Sequence, residues 1–291
     1  IKGKLDKIKR FYADSLSKNA EDIELIKLYK EFHPGTVKEK LVGGYFNDMK
    51  QGMYREYDLD GNIVNGYIFR NDTIIAEGII LEDGNYEGLW KTYYSNGTVK
   101  SSGEYIKGVK SNIWTFYYDN GKKEQIGKYK NNMPSGEWKW YYKNGANKRI
   151  EYYRKGKLEG NQIEYNEVGD EISNGEFYNG LKEGPWKYKV GDHEEVGEFT
   201  LGYKTGNWIH FYDNGRVSFK GTYDEGAPIG KHFYYHKNGV TKKKGKYVIG
   251  EKHGIWKTYN DIGEVIEVLK YYRGELISIN GVKVIKVESN D

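Results

Sequence analysis

Glycine returns in this chain every 24 residues, and that period admits little besides short paired strands. The recurring glycine, or its stand-in, falls at Gly52, Gly88, Asn112, Gly136, Gly160, Gly184, Gly206, Gly230 and Gly254. From Gly88 on, every spacing is 24 except the 22 between Gly184 and Gly206. Self-similarity at such a period marks a repeat architecture, in which each unit buries its apolar surface against its neighbours.

Each period holds two turns and two aromatic positions. Two residues after the anchor come Trp90, Trp114, Trp138, Trp186, Trp208 and Trp256, with Tyr54, Gln162 and His232 in the remaining copies. A second glycine recurs at Gly61, Gly97, Gly121, Gly145, Gly169, Gly191, Gly215, Gly239 and Gly263, preceded by Asn at 96, 120, 144, 214 and 238. Asn-Gly predicts a hairpin turn with both residues at positive φ. Eight residues on, an aromatic always follows, as in Tyr105, Tyr153 and Phe199. Eleven on stands only Gly, Asn or Asp, the types that tolerate the left-handed region, as at Gly108, Asn132 and Asp72. Each repeat is therefore a pair of short antiparallel strands. The predicted fold is all-β: an elongated, solenoid-like, single-layer antiparallel sheet of about twelve stacked β-hairpin repeats.

Composition agrees. The 291 residues include 38 Gly and 29 Tyr but only 37% hydrophobic residues, as expected of turn-rich strands whose tyrosines are half buried. The net charge of +4 comes from 46 basic and 42 acidic side chains, and the longest basic run is Lys242-Lys243-Lys244. That is a weak footprint for nucleic acid, and no nucleic-acid partner is expected. With no cysteine, disulfides and thiolate chemistry are excluded. No apolar run is long enough to form a transmembrane segment.

The segment Gly88-Leu89-Trp90-Lys91-Thr92-Tyr93-Tyr94-Ser95-Asn96-Gly97, followed by Gly103-Glu104-Tyr105-Ile106-Lys107-Gly108, resembles the MORN-repeat-variant family. Bacterial members of that family are labelled YwqK-type antitoxin components. The resemblance covers about residues 26–274 and implies stacked hairpins that serve as a scaffold or binding surface. It also implies export or association with the bacterial cell envelope, with a cytoplasmic location as the alternative, and an antitoxin role as an alternative function. Locally, Trp140-Tyr141-Tyr142-Lys143-Asn144-Gly145 is similar to choline- and glycan-binding cell-wall repeats. Those repeats use a second tryptophan to build a cage, and here only the 136–159 copy has two.

The same alignment divides the chain into degenerate hairpins over 1–51, the main array over 52–274, and a capping hairpin with a polar tail over 275–291. Lys2-Gly3-Lys4-Leu5-Asp6 matches Lys155-Gly156-Lys157-Leu158-Glu159, so the chain opens in mid-repeat. A bare strand edge invites pairing, so preceding residues or a second chain are expected at this edge. Residues 14–23 read as a long hairpin loop, and Leu28 falls in the tryptophan slot.

No catalytic constellation stands out. The histidines are His33, His193, His210, His232, His236 and His253. His232 occupies the tryptophan slot, and His210 and His236 replace aromatics elsewhere in the repeat. His232 and His236 lie roughly 13 Å apart along a strand, too far to share a zinc ion without a third element. Glu194, Glu195 and Asp213 sit at turns, where solvated acids are ordinary. No phosphate loop, nucleophile elbow or metal-helix motif is present. The chain is expected to be non-catalytic, without cofactor or metal. Alternation puts Trp90, Thr92 and Tyr94 on one face and Leu89, Lys91 and Tyr93 on the other. These rings stabilise the sheet through cross-strand packing, and one row is expected to meet a protein or an envelope polymer as well. The candidate binding face carries Trp90, Trp114, Trp138, Trp140, Trp186, Trp208 and Trp256.

Overall fold

The computed structural model describes residues 27–284. The expectations for residues 1–26, including the mid-repeat opening and the loop at 14–23, lie outside the described residues, as does the polar tail beyond 284. The described residues form twenty-four strands and no helix. Two compact units divide the chain, residues 1–134 and 135–291. Within each unit, successive strands pair antiparallel as consecutive hairpins, as the repeat predicts. In the first unit, strand Tyr86–Tyr93 pairs with Val99–Ile106, which pairs in turn with Val109–Tyr117. In the second, Leu181–Val190, His193–Thr200, Tyr203–Phe211, Val217–Asp224 and Ala227–Tyr235 follow the same order.

One of the two turn types departs from the sequence expectation. At Asn96-Gly97 only the glycine has positive φ, +81°. Tyr94 N donates to Thr98 O, and Gly97 N donates back to Tyr94 O, both at 2.9 Å. This is a three-residue loop closed by a left-handed glycine. Asn is kept there for its side chain. Asn96 Oδ1 accepts from Thr98 N, and Nδ2 donates to Asp119 O in the next repeat at 3.1 Å. Asn144, Asn214 and Asn238 repeat the link, to Glu167, Lys237 and Asp261. The turns with two positive-φ residues are the others, including Lys107-Gly108, Asn131-Asn132, Asn179-Gly180, Leu201-Gly202 and Ile249-Gly250. The C-terminal hairpin turns at Asn280-Gly281 in that same way.

Each period anchor opens the pairing of its hairpin, as Gly88 does opposite Tyr105 and Gly206 opposite Tyr223. Gly206 lies inside strand Tyr203–Phe211 with φ +60°, and Asn112 inside Val109–Tyr117 with φ +56°. Each begins a bulge. In the first unit, Ser102 pairs with Thr115 and Glu104 with Ser111, so Gly103 alone faces residues 112–114. Around Gly197, Gly221 and Gly245 the register breaks in the same manner. Such a bulge turns the strand and re-aims a side chain, and the side chain re-aimed here is the tryptophan.

Leu28 is more than half exposed, so the tryptophan slot of that degenerate hairpin holds no buried group.

Candidate functional site: the tryptophan row and the open face

The indoles of Trp90, Trp114, Trp186, Trp208 and Trp256 each lie flat on a glycine of the preceding strand. A Cβ on Gly103, Gly175, Gly197 or Gly245 would overlap the ring of Trp114, Trp186, Trp208 or Trp256 respectively. The bulge exposes the carbonyl one residue past that glycine, and the indole uses it. Trp114 Nε1 donates to Glu104 O, Trp186 to Glu176 O, Trp208 to Glu198 O and Trp256 to Lys246 O, at 3.1–3.3 Å. The substitutes obey the same rule. Tyr54 lies on Gly43 and donates its hydroxyl to Gly44 O at 2.6 Å, and His232 lies on Gly221 with Nε2 3.0 Å from Thr222 O. The slot therefore asks for a flat ring with a polar hydrogen at one position. Trp90 is the exception. It follows an irregular hairpin, and its buried Nε1 has no acceptor.

The ring edges meet Tyr or Phe from the flanking strands at near right angles. Phe199 to Trp208 is 5.3 Å at 87°, and Tyr247 to Trp256 is 5.0 Å at 83°. Edge-to-face pairs add roughly 0.5–1.5 kcal/mol each beyond the area they bury. Over Trp114, Trp186, Trp208 and Trp256 a lysine two residues before the anchor covers the outer ring face, and over Trp90 it is Tyr86 that stands at that position, its centroid 4.0 Å away. Lys110, Lys182 and Lys204 hold Nζ 4.5, 4.3 and 3.7 Å from the centroids of Trp114, Trp186 and Trp208. Burial pushes the Lys110 and Lys182 ammonium groups below their usual range, with Lys204 adding to the effect at Lys182.

Around Trp114, Trp186, Trp208 and Trp256, glycine below, aromatics beside and lysine above leave little of the ring uncovered. Trp90, Trp114, Trp138, Trp186, Trp208 and Trp256 are at most 3% exposed. A ring so covered offers no surface to a partner, so the expected tryptophan face is this protein's core rather than its contact surface. Only Trp140 is half-buried. The sequence reading missed both the platform glycine and the covering lysine. Their signals are positional: glycine eleven residues before the ring, and lysine four before it, as Gly197 and Lys204 stand to Trp208.

One step of the row is polar. Glu151 replaces the platform glycine, and Gln162 replaces the ring that would lie on it. The register is the regular one, with Ile150 opposite Ile163 and Tyr153 opposite Leu158. Glu151 is 3% exposed and takes a hydrogen bond from the Tyr153 hydroxyl at 2.9 Å. Arg149 Nε lies 2.6 Å from its Oε1 but is not aligned for a hydrogen bond, so the contact is an ion pair. The guanidinium carbon sits 4.9 Å from the Trp140 centroid. Burial raises the Glu151 carboxyl above its usual range, against the opposing pull of Arg149 and Tyr153.

The other face is open. Leu89, Ile113 and Ile255, each one residue after its anchor, are 78%, 63% and 57% exposed. Within the second unit this face carries a hollow of 450 Å³, lined by Pro185, Val196 and Ile209 with Asn174, Lys187 and Asn207 around them. A second cavity, 510 Å³, follows from the shortened repeat. Gly191-Asp192 is a two-residue turn joining the paired Val190 and His193, so it lacks the Tyr and Asn that reach the next turn elsewhere. Asp192, His193, Glu194, Tyr212 and Asp213 line the gap. Lys237 Nζ approaches Asp213 at 3.3 Å and Asp192 at 3.8 Å, and Lys187 pairs with Glu194 at 2.9 Å.

Of the other histidines, His236 Nε2 lies 2.9 Å from Tyr259 O, where Tyr94, Tyr142 and Tyr212 place a hydroxyl on the equivalent carbonyl. His210 lies 3.7 Å from Glu195, and burial lowers its pKa. Among the described residues no three His, Asp or Glu side chains gather as a metal site, and no helix is long and apolar enough to cross a membrane.

Comparison with curated proteins finds no match. Two solved structures, "Crystal Structure of TcdB2-TccC3-TEV" and "Crystal Structure of TcdB2-TccC3 without hypervariable C-terminal region", align at 12% identity over 85% of this chain, with TM-scores of 0.21 and 0.20. This chain spans 14% of the length of each. The family model for the MORN repeat variant matches residues 86–107, 110–131, 134–146 and 204–225, each of which carries a tryptophan of the buried row. These four stretches are similar to the MORN repeat variant.

Proposed function

We propose that this chain is a non-catalytic repeat scaffold that holds a macromolecular partner, a protein or an envelope polymer, on its open face. The observation that carries this reading is a division of labour between the two faces. On one, glycine, ring and lysine are fixed by packing. On the other, equivalent positions vary freely: Leu89 and Lys91, Glu137 and Lys139, Asn207 and Ile209, Lys231 and Phe233. A surface with regular spacing and unconstrained side chains suits recognition of an extended partner. The hollow at Pro185, Val196 and Ile209 adds a concave apolar floor with polar groups at its rim, the usual make-up of a binding site. The envelope location implied by the family resemblance belongs to the same proposal.

The test separates the faces. Val196→Glu and Ile209→Glu should leave the melting temperature nearly unchanged and abolish capture of the partner in a pull-down from the native host. Trp208→Phe should lower the melting temperature and leave capture intact. Loss of capture in Trp208→Phe at a temperature where it remains folded, with capture retained by both glutamate variants, would place the contact on the tryptophan row instead.

A further inference from the structure

The edge of the second unit formed by the two-residue turns carries a contradiction that packing does not resolve. The first residue of such a turn has positive φ, and most copies place a polar side chain there, as at Lys155, Asn179, Glu225 and Arg273. Two copies place Leu201 and Ile249, at φ +50° and +49°. A β-branched residue is an outlier in that region, because its Cβ crowds the backbone. Burial gives nothing in return, since Leu201 is 62% and Ile249 88% exposed, and Tyr203 beside Leu201 is 59% exposed. Backbone strain and apolar exposure thus coincide twice on one edge. The turns are its successive members: Gly202 N donates to Lys182 O, Gly226 N to Lys204 O and Gly250 N to Pro228 O.

Between the two apolar turns lie Asp224 and Glu225, with Glu251 just past Ile249. All three are exposed and none has an ion-pair partner. Nearby Lys204 and Lys252 are engaged over Trp208 and Trp256. The edge therefore reads apolar, acidic, apolar. Leu201 and Ile249 are two repeats apart, four strand spacings or about 19 Å. An α-helix covers that distance in about thirteen residues. The turn backbones are already bonded to their neighbours, so the edge is not a template for an added strand. A second copy related by a twofold axis would set Glu225 against Glu225.

We propose that this edge docks a basic amphipathic helix of a partner protein, with apolar side chains on Leu201, Tyr203 and Ile249 and Lys or Arg opposite Asp224, Glu225 and Glu251. The proposal rests on the scaffold reading and adds a surface distinct from the open face.

The probe is a fluorescein-labelled synthetic helical peptide of about eighteen residues, with apolar positions at both ends of one stripe and lysines at its centre. Fluorescence anisotropy is read with the full chain. The expected result is salt-sensitive binding, at least tenfold tighter than for the same peptide with glutamates replacing the lysines or with a scrambled order. Asn suits positive φ, so the double variant Leu201→Asn, Ile249→Asn should melt at the same or a higher temperature yet bind at least tenfold more weakly. Asp224→Lys with Glu225→Lys should weaken binding similarly, while Ile209→Glu should not. Equal binding by the asparagine variant or by the scrambled peptide would overturn the proposal. So would sedimentation showing a dimer of the parent chain that the asparagine variant loses, which would make the occupant a second copy. If Ile209→Glu alone abolishes peptide binding, the open face and not this edge is the site.

Discussion

Two stretches of the second unit share one backbone register and differ in what fills it. From Gly197 to Trp256, every step has a glycine platform and a donor-bearing ring, namely Gly197 with Trp208, Gly221 with His232, and Gly245 with Trp256. At Glu151 and Gln162 both partners are replaced, and an ion pair with Arg149 takes the space. His232 shows that the ring may change while the glycine stays. The 151–162 step shows that when the glycine goes, the ring goes too. Platform and ring are thus one structural unit written eleven residues apart. A fully buried indole removes on the order of 150–250 Å² from water, an upper bound of roughly 4–6 kcal/mol. The polar step must hold by charge pairing what its neighbours hold by packing.

The largest expected effect comes from emptying an intact step. Trp208→Ala removes a ring at 0% exposure and should cost about 3–5 kcal/mol in urea unfolding. Gln162→Ala, at the equivalent position of the polar step, should cost well under half of that. A similar loss at both positions would mean that the polar step is packed as tightly as the aromatic ones.

Next comes filling the platform. Gly245 does not have positive φ, so Ala is tolerated by the backbone, and the nearest atoms its Cβ would meet are those of the Trp256 ring. Gly245→Ala should cost about 1–3 kcal/mol, and Trp256→Ala in the same chain should relieve most of that added cost. Gly239→Ala would serve poorly as a control, because its φ of +93° penalises any side chain.

The smallest effect is a pH dependence. Burial disfavours the His232 imidazolium and lowers its pKa from the ordinary 6.5. The unfolded chain therefore binds that proton more tightly than the folded one. The stability linked to this site is complete above about pH 6.5 and lost as the pH falls below it. His232→Trp should flatten the fall in melting temperature between pH 7 and pH 5, with His210, lowered in the same direction, supplying the remainder. An unchanged pH profile in the variant would show that His232 titrates alike in the folded and unfolded chains.

The sequence made the array legible because turns and rings repeat. The strands, their antiparallel order and the left-handed tolerance at Gly108, Asn132 and Asp72 all follow from residue type at fixed spacing. Which glycine does what does not. Gly206, Gly202 and Gly197 are alike in sequence, yet one begins a bulge, one completes a turn and one supports a ring. That distinction depends on strand pairing, a long-range property. Asn96 likewise signals a turn by type, while its side chain acts across to Asp119. The tryptophans read as an exposed face because strand alternation gives direction and not cover. The cover comes from Lys204 and its equivalents, which composition counts as surface charge.

The most direct test of the linked platform and ring is to rebuild the missing step. Glu151→Gly, Gln162→Trp and the double variant are compared with the parent by equilibrium urea unfolding. Glu151→Gly alone leaves Arg149 without its carboxylate, and Gln162→Trp alone drives an indole against the Glu151 side chain, so each single change should destabilise. Together they should restore the regular step, with a favourable coupling of at least about 1 kcal/mol and a stability at or above that of the parent. Additive effects within about 0.5 kcal/mol would contradict the account.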